Sequence, residues 1–375
     1  MLGLAAPSAA LLRRIAKATA HGIGLACSLL APHAARAADL PTDKAEALIH
    51  VYKGGGVEAT GPALLVRKSL AGKVSLSGTY YVDMISNASI DVVTTASPFK
   101  EKRTALDVGL DYVVRDTTIT LGRGNSREPD YTADSLSVDV AQEVFDNMTT
   151  VSLGYTRAWD RVGHALNGFF DQARHWRYRL GVTQVLTPHW VAGVQFEAVS
   201  DDGYLGSPYR VARVFGAAVP ERNPRTRSSR AMTLNATGNL GAGSAVRAEY
   251  RYFWDTWQIR AHTFELGYAR QFATHWTGEA FARLHTQSSA LFYSDNASTE
   301  TLYLSRNRQL ASFNSPSLGT KVSYTMKQAV LGQDVKFNGA LELKRFNFSN
   351  FTDIRTGQPY SHNAALLQLY VTASF

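Results

Sequence analysis

Apolar and polar residues alternate along almost the whole chain. At the C-terminus Leu367, Leu369, Val371, Ala373 and Phe375 fall at every second position, with Gln368, Thr372 and Ser374 between them. Side chains of a strand point alternately to opposite faces, so this pattern gives one apolar and one polar face. The alternation recurs upstream. Val74, Leu76, Tyr80, Val82 and Met84 oppose Ser75, Ser77, Thr79 and Asp83, and Leu106, Val108, Leu110, Tyr112 and Val114 oppose Asp107 and Asp111. Val246, Ala248, Tyr250, Tyr252 and Trp254 oppose Arg247, Glu249, Arg251 and Asp255. The pattern predicts strands near 45–53, 60–70, 74–86, 102–115, 117–125, 131–144, 148–160 and 175–187. Eight more are predicted near 190–201, 227–240, 244–257, 261–273, 276–287, 315–327, 334–348 and 364–375. The total is about sixteen. A soluble two-layer sandwich also alternates, but many of these runs reach about 11 to 14 residues, against five or six in globular sheets.

The connections carry a second regularity. Short joins such as Leu70-Ala71-Gly72-Lys73, Phe145-Asp146-Asn147 and Thr187-Pro188-His189 are rich in turn formers. They alternate with long polar stretches at 86–101, 161–174, 202–226 and 288–314. A transmembrane β-barrel has this asymmetry, with tight periplasmic turns at one end and external loops at the other. An even strand number leaves both termini at the short-turn end. Trp176, Tyr178, Trp190, Trp276, Tyr252 and Trp254 lie near predicted strand ends, where two interfacial girdles need them. A propeller would repeat every 40–45 residues, and no such repeat is present.

Composition agrees. The chain has 375 residues, 45% of them hydrophobic and 11% aromatic, and a mean hydropathy of −0.16. It lacks the run of about 18 apolar residues that a membrane helix needs, which leaves spanning by strands open. Arg13, Arg14 and Lys17 precede an apolar stretch, 23–31, and Ala35-Arg36-Ala37 offers a small-x-small cleavage site. This predicts a signal peptide over 1–37 and a single barrel domain over 38–375. The fold class is all-β, a closed antiparallel transmembrane barrel preceded by a cleaved signal peptide. The only cysteine, Cys27, leaves with the signal, so the mature chain has no disulfide. Arg13, Arg14, Lys17 and Arg36 leave too, and the full-chain charge of +8 falls to about +4. That removes much of the case for a nucleic-acid partner, and none is expected.

Candidate chemistry is sparse. The histidines His262, His275 and His285 show no metal-ligand spacing. Gly54-Gly55-Gly56 lacks the Lys-Ser or Lys-Thr pair of a phosphate loop and reads as a flexible external hairpin. Asp201-Asp202-Gly203 reads as an ordinary acidic turn. No metal, cofactor or catalytic residue is expected, although a serine beside His262 or His285 is the arrangement a barrel hydrolase would need.

Charge placement is the informative feature. From Arg157 to Arg260 the chain carries 14 arginines, no lysine and eight acids. Arg177, Arg179, Arg247 and Arg251 share the polar, lumen-facing phase with Glu249 and Asp255, and are the selectivity candidates. Arg210, Arg213, Arg222, Arg225 and Arg227 lie in or beside the longest loop. Confined arginines attract anions. The alternatives are that Glu197, Glu249 and Glu265 neutralise the lumen row as a structural ladder, and that the loop arginines bind phosphates of outer-leaflet lipid.

Two resemblances sharpen the reading. A final strand ending in phenylalanine, here Leu367, Leu369, Val371, Ala373 and Phe375, resembles the assembly signal of bacterial outer-membrane barrels. The segments 52–57 (YKGGGV), 61–68 (GPALLVRK), 88–99 (ASIDVVTTASPF), 249–253 (EYRYF) and 292–295 (FYSD) resemble a bacterial family known as domain of unknown function 3570. The resemblance implies an outer-membrane barrel and supplies no catalytic residues. The expected partners are outer-membrane lipid with lipopolysaccharide, and the barrel-assembly machinery through the C-terminal strand. The expected function is a porin-like passive channel for small solutes with an anion preference. The alternatives are a non-conducting anchor presenting loops 86–101 and 202–226, and, less favoured, an outer-membrane hydrolase.

Overall fold

The computed structural model describes residues 38–87, 99–164, 167–327 and 333–375. The expected signal peptide, Cys27 and most of loop 86–101 lie outside the described residues. The first nine strands are β1 (Lys44–Gly54), β2 (Val57–Leu70), β3 (Val74–Asn87), β4 (Phe99–Val114), β5 (Thr117–Arg127), β6 (Tyr131–Val144), β7 (Thr149–Gly163), β8 (Phe170–Thr187) and β9 (Trp190–Gly203). A small hairpin of β10 (Val211–Val214) and β11 (Ala217–Pro220) follows. Then come β12 (Thr226–Gly241), β13 (Ser244–Asp255), β14 (Arg260–Ala273), β15 (Trp276–Gln287), β16 (Phe313–Asn314), β17 (Ser317–Thr325), β18 (Asp334–Asp353) and β19 (Gln358–Ser374).

Each long strand pairs antiparallel with its neighbours, β9 pairs directly with β12, and β19 returns to pair with β1. The sheet therefore closes and has no free edge. β16 and β17 fill one position, between β15 and β18, and are separated by Ser315-Pro316. Proline has no N–H for the ladder, and the strand breaks there. The result is a closed antiparallel barrel of 16 strands, as the alternation predicts.

The burial pattern is the reverse of a soluble protein. Ile49 (60% exposed), Leu284 (60%) and Leu369 (55%) face out, while Asp83, Glu265, Asn338 and Glu342 are buried on the inner wall. A continuous apolar belt of this kind has no counterpart on soluble monomers and matches a lipid-facing surface. Trp159, Trp190 and Trp276 face outward near strand ends, whereas Tyr155, Tyr178 and Tyr250 face outward near the middle of their strands.

The turns beside residues 71–73, 115–116, 188–189, 242–243 and 274–275 are short and share one end with both termini of the barrel. The β1–β2 connection is at the other end and differs from expectation. It is a tight turn rather than a flexible hairpin, because pairing runs on to Gly54 and Val57. Gly55 and Gly56 both have positive φ (57° and 79°), the mirror-image turn that suits strand twist and that glycine adopts without strain.

An apolar core sits at the loop end, inside the mouth. Phe348, Phe351, Tyr360 and Ala311 pack with Tyr293, Phe313 and Phe346. Trp257, Ile259, Ala290 and Leu310 pack with Leu205, Phe253 and Phe292 beside it. The two long loops interlock above. Phe215 and Ala297 exchange backbone bonds across them through Arg213, and Arg222 and Leu304 form a reciprocal backbone pair. Arg222 also pairs with Glu300, and Ser305 donates to Glu221. Stretch 202–226, expected to be a plain loop, thus holds the β10–β11 hairpin and is tied to 288–312.

Candidate functional site

The registers bring one phase of every long strand into the lumen. On β8, Arg177 and Arg179 face inward. Arg179 lies 2.5 Å from Asp139 of β6, and Arg177 lies 3.5 Å from Glu197 of β9. Arg251 of β13 reaches the same Glu197 at 3.6 Å. Two guanidiniums therefore share one carboxylate. Their side chains remain 38% and 36% exposed, so this cluster is wet. Asp107, Thr183, Gln195 and Asn235 also face inward by register and are exposed. The wall from β4 round to β13 thus borders open, water-accessible space.

The opposite wall is closed. Arg247 pairs with Glu265, whose other oxygen accepts from Arg283 Nε at 2.7 Å. Arg283 also reaches Glu342 at 3.4 Å, and Lys344 lies 3.3 Å from the same carboxylate. Phe281 lies flat over Gly319, where an added Cβ would come within 2.2 Å of the ring. Buried charges of this kind are tolerated only because each is paired, and removing one partner would strand the other.

A third group lies nearer the loops. His50 Nε2 is 2.8 Å from Asp83, whose second oxygen accepts from Arg103 at 2.8 Å, and Tyr81 stacks on the imidazole. His175 is held with Nδ1 2.7 Å from Asp201 and Nε2 3.0 Å from Asp160, and Asp160 also accepts from Tyr131. These polar groups pin β1, β3, β4 and β6 to β9 together at the level where the outer wall ceases to be apolar.

The protein-family comparison decides the relationship. Residues 25–343 match the family described as "Protein of unknown function (DUF3570)". The chain belongs to this family. No curated protein matches the chain. Among solved structures, a bacterial polysaccharide outer membrane secretin is 9% identical over 90% of this chain and 100% of its own, with a TM-score of 0.50. A Pseudomonas aeruginosa FadL homologue is 11% identical over 90% and 91%, with a TM-score of 0.46. OpdK of Pseudomonas aeruginosa with vanillate is 9% identical over 90% and 100%, with a TM-score of 0.45. Likenesses at this identity speak to the fold alone. This DUF3570 member has a closed antiparallel β-barrel fold similar to that of outer-membrane barrel proteins.

Arg177, Arg179, Arg247 and Arg251 face inward from the barrel wall, each beside a carboxylate. Glu249 shares that wall, while Asp255 lies at the loop end and accepts from Arg227 Nε at 2.8 Å. Arg227 therefore belongs to the inner wall of β12, not to a free loop cluster. Arg222 pairs with Glu300, and Arg225 forms a two-point pair with Asp171 at 2.7 and 3.0 Å. Arg210 and Arg213 sit on either side of the start of the β10–β11 hairpin. The five arginines are thus dispersed, three of them tied to acids. His262 faces outward and bonds Tyr250, while His285 bonds the Thr263 hydroxyl at 2.8 Å. Both rings meet neutral hydroxyls. Asp201 and Asp202 point to opposite faces, so the acidic turn does not converge on one point.

Sequence reasoning placed Asp83 on a polar face and Glu265 in the lumen row but missed His50, Arg103, Arg283, Lys321 and Glu342 as lumen residues. Their signal was available, because each holds the polar phase of an alternating strand. It also missed Glu101, Glu128 and Asp130, whose carboxylate oxygens lie within 4.8 Å of one another near the β5–β6 connection. Burial, with Glu101 and Asp130 close by and Arg103 opposing, pushes the Glu128 carboxyl up to about 8.

Proposed function

We propose that the barrel is a passive channel for small hydrophilic solutes with a weak preference for anions. The wet inner wall supports this reading most directly: Asp107, Thr183, Gln195 and Asn235 are exposed although they face inward. A packed barrel interior would bury them, and barrels of this strand number leave an aqueous lumen. The sign of the preference rests on Arg177 and Arg251 sharing Glu197, a cluster with one positive charge in excess of its carboxylate, while Asp107 lies elsewhere on the same wall. Charges confined between low-dielectric walls bias ion entry beyond their effect in bulk water.

The same reading has residues 1–37 removed on export, the chain resident in the outer membrane with its long loops outward, and Leu367 to Phe375 read by the assembly machinery. It assigns the barrel no catalytic step. The interlocked loops favour one second reading, a barrel that displays its loops to a partner, with Phe215, Leu291 and Leu302 exposed there. Ion selectivity tests the first reading. Purified protein in a planar bilayer under a salt gradient is expected to show a reversal potential on the anion side. The doubly reversed variant R177E/R251E is expected to move it to the cation side. Folded protein whose reversal potential ignores these substitutions removes the cluster from the mechanism.

A further inference from the structure

The outer wall changes character abruptly at the loop ends of β5 to β8. The register Leu121–Val138–Tyr155–Tyr178 is wholly apolar or aromatic and faces lipid. The next three outward registers toward the loops read Arg123–Leu136–Arg157–Trp176, Asn125–Asp134–Trp159–Arg174 and Arg127–Thr132–Arg161–Gln172. Five arginines of β5, β7 and β8 thus stand on the outside of the wall, immediately above the aromatic row. Two acids face the same patch: Asp134, 3.3 Å from the exposed Arg123, and Asp202, opposite Arg174 across β8 and β9. Arg127, Arg157, Arg161 and Arg174 have no ion pair among the described residues. The guanidinium of Arg157 lies 4.6 Å from the Trp176 ring centroid and 5.5 Å from that of Trp159, which holds it against both rings of the patch.

We propose that this patch is a binding site for a phosphorylated glycolipid of the outer leaflet. The occupant must satisfy two demands at once. Acyl chains must cover the Leu121–Tyr178 row, and anionic groups must meet arginines within a few residues of it. A lipid with phosphates at its headgroup does both, and guanidinium is the side chain suited to paired hydrogen bonds with phosphate oxygens. A second copy of the chain would set five arginines against five, and charge complementarity opposes it. An acidic protein would satisfy the arginines but leave the apolar row to ordinary lipid. The arginines that sequence assigned to lipid phosphate, those of loop 202–226, are largely spent on Asp171, Asp255 and Glu300; those of β5, β7 and β8 are available.

The test is native mass spectrometry of detergent-purified barrel with bisphosphorylated lipid A as the probe and its dephosphorylated form as the reference. Wild type is expected to retain the bisphosphorylated form at least about tenfold better. The variant R157A/R161A/R174A is expected to lose that margin, whereas R260A, an outward arginine on β14, keeps it. Should the triple variant fail to show the heat-dependent gel shift of a folded barrel, R161A/R174A serves in its place with a several-fold loss expected. Equal retention of both lipid forms, retention unchanged in the variants, or a lipid-free dimer as the main species would each overturn the site.

Discussion

At the scale of single residues, environment decides what a charge does. Arg251 and Arg283 occupy the same phase of the wall, yet Arg283 is wedged between Glu265 and Glu342, whereas Arg251 is open to the lumen. Loss of Arg283 would take one of two cations from each of two buried carboxylates and leave them to Arg247 and Lys344, a cost below the roughly 3–5 kcal/mol of a fully stranded buried charge. In the proposed channel Arg251 would act on passing ions instead. Glu128 offers a pH test of the same logic. Its ordinary value of 4.5 is raised to about 8 by burial at the β5–β6 connection. The folded state therefore favours the neutral acid, and stability is lost as pH rises from near 4.5 through about 8. Glu128→Gln keeps the shape and removes the ionisation. The variant should match wild type at pH 4 and be the more stable at pH 9, by at most a few kcal/mol given about 1.4 kcal/mol per unit. The midpoint of the heat-induced gel shift at the two pH values measures this, and an equal difference at both would remove the ionisation from the explanation.

At the scale of elements, β18 shows both what alternation reveals and where it misleads. Up to Leu343 its apolar residues Phe337, Leu341 and Leu343 face lipid. Beyond that the phase inverts. Arg345 and Asn347 face out while Phe346 and Phe348 turn in to meet the loop 288–312. The strand has left the hydrocarbon and entered a small soluble-style core, so it runs to Asp353 rather than stopping near 348. The inversion is visible in the sequence 341–348 (LELKRFNF), but only once the inward face is known to be covered. The β10–β11 hairpin was invisible for another reason: four residues per strand give too little alternation to read, and its partners lie about 80 residues away. The ion pairs were equally hidden, because choosing among several acids on one face needs the cross-strand register. By contrast β3, β6 and β15 were legible nearly to the residue, since lipid imposes one rule on a whole face. Phe348→Ala should cost on the order of 3–5 kcal/mol of local stability and leave the barrel closed. Limited proteolysis within 288–312 should quicken by on the order of a hundredfold, with the gel shift of the barrel intact. Unchanged cleavage would mean that the aromatic cluster does not hold this loop.

At the scale of the whole molecule, the account joins three features: an apolar exterior, a closed ring of hydrogen-bonded strands and a lumen that is ionic and packed on one side, polar and wet on the other. The first two follow from alternation and strand length, and they fit a bilayer because no backbone N–H or C=O is left unpaired at an edge. The third was not available from sequence, since alternation cannot distinguish a filled lumen from a wet one. The most direct test is single-channel recording of purified, refolded protein in a planar bilayer. The account predicts discrete current steps that persist without added ligand, with a reversal potential displaced toward anions in a salt gradient. Protein that is folded and inserted yet passes no current would contradict it.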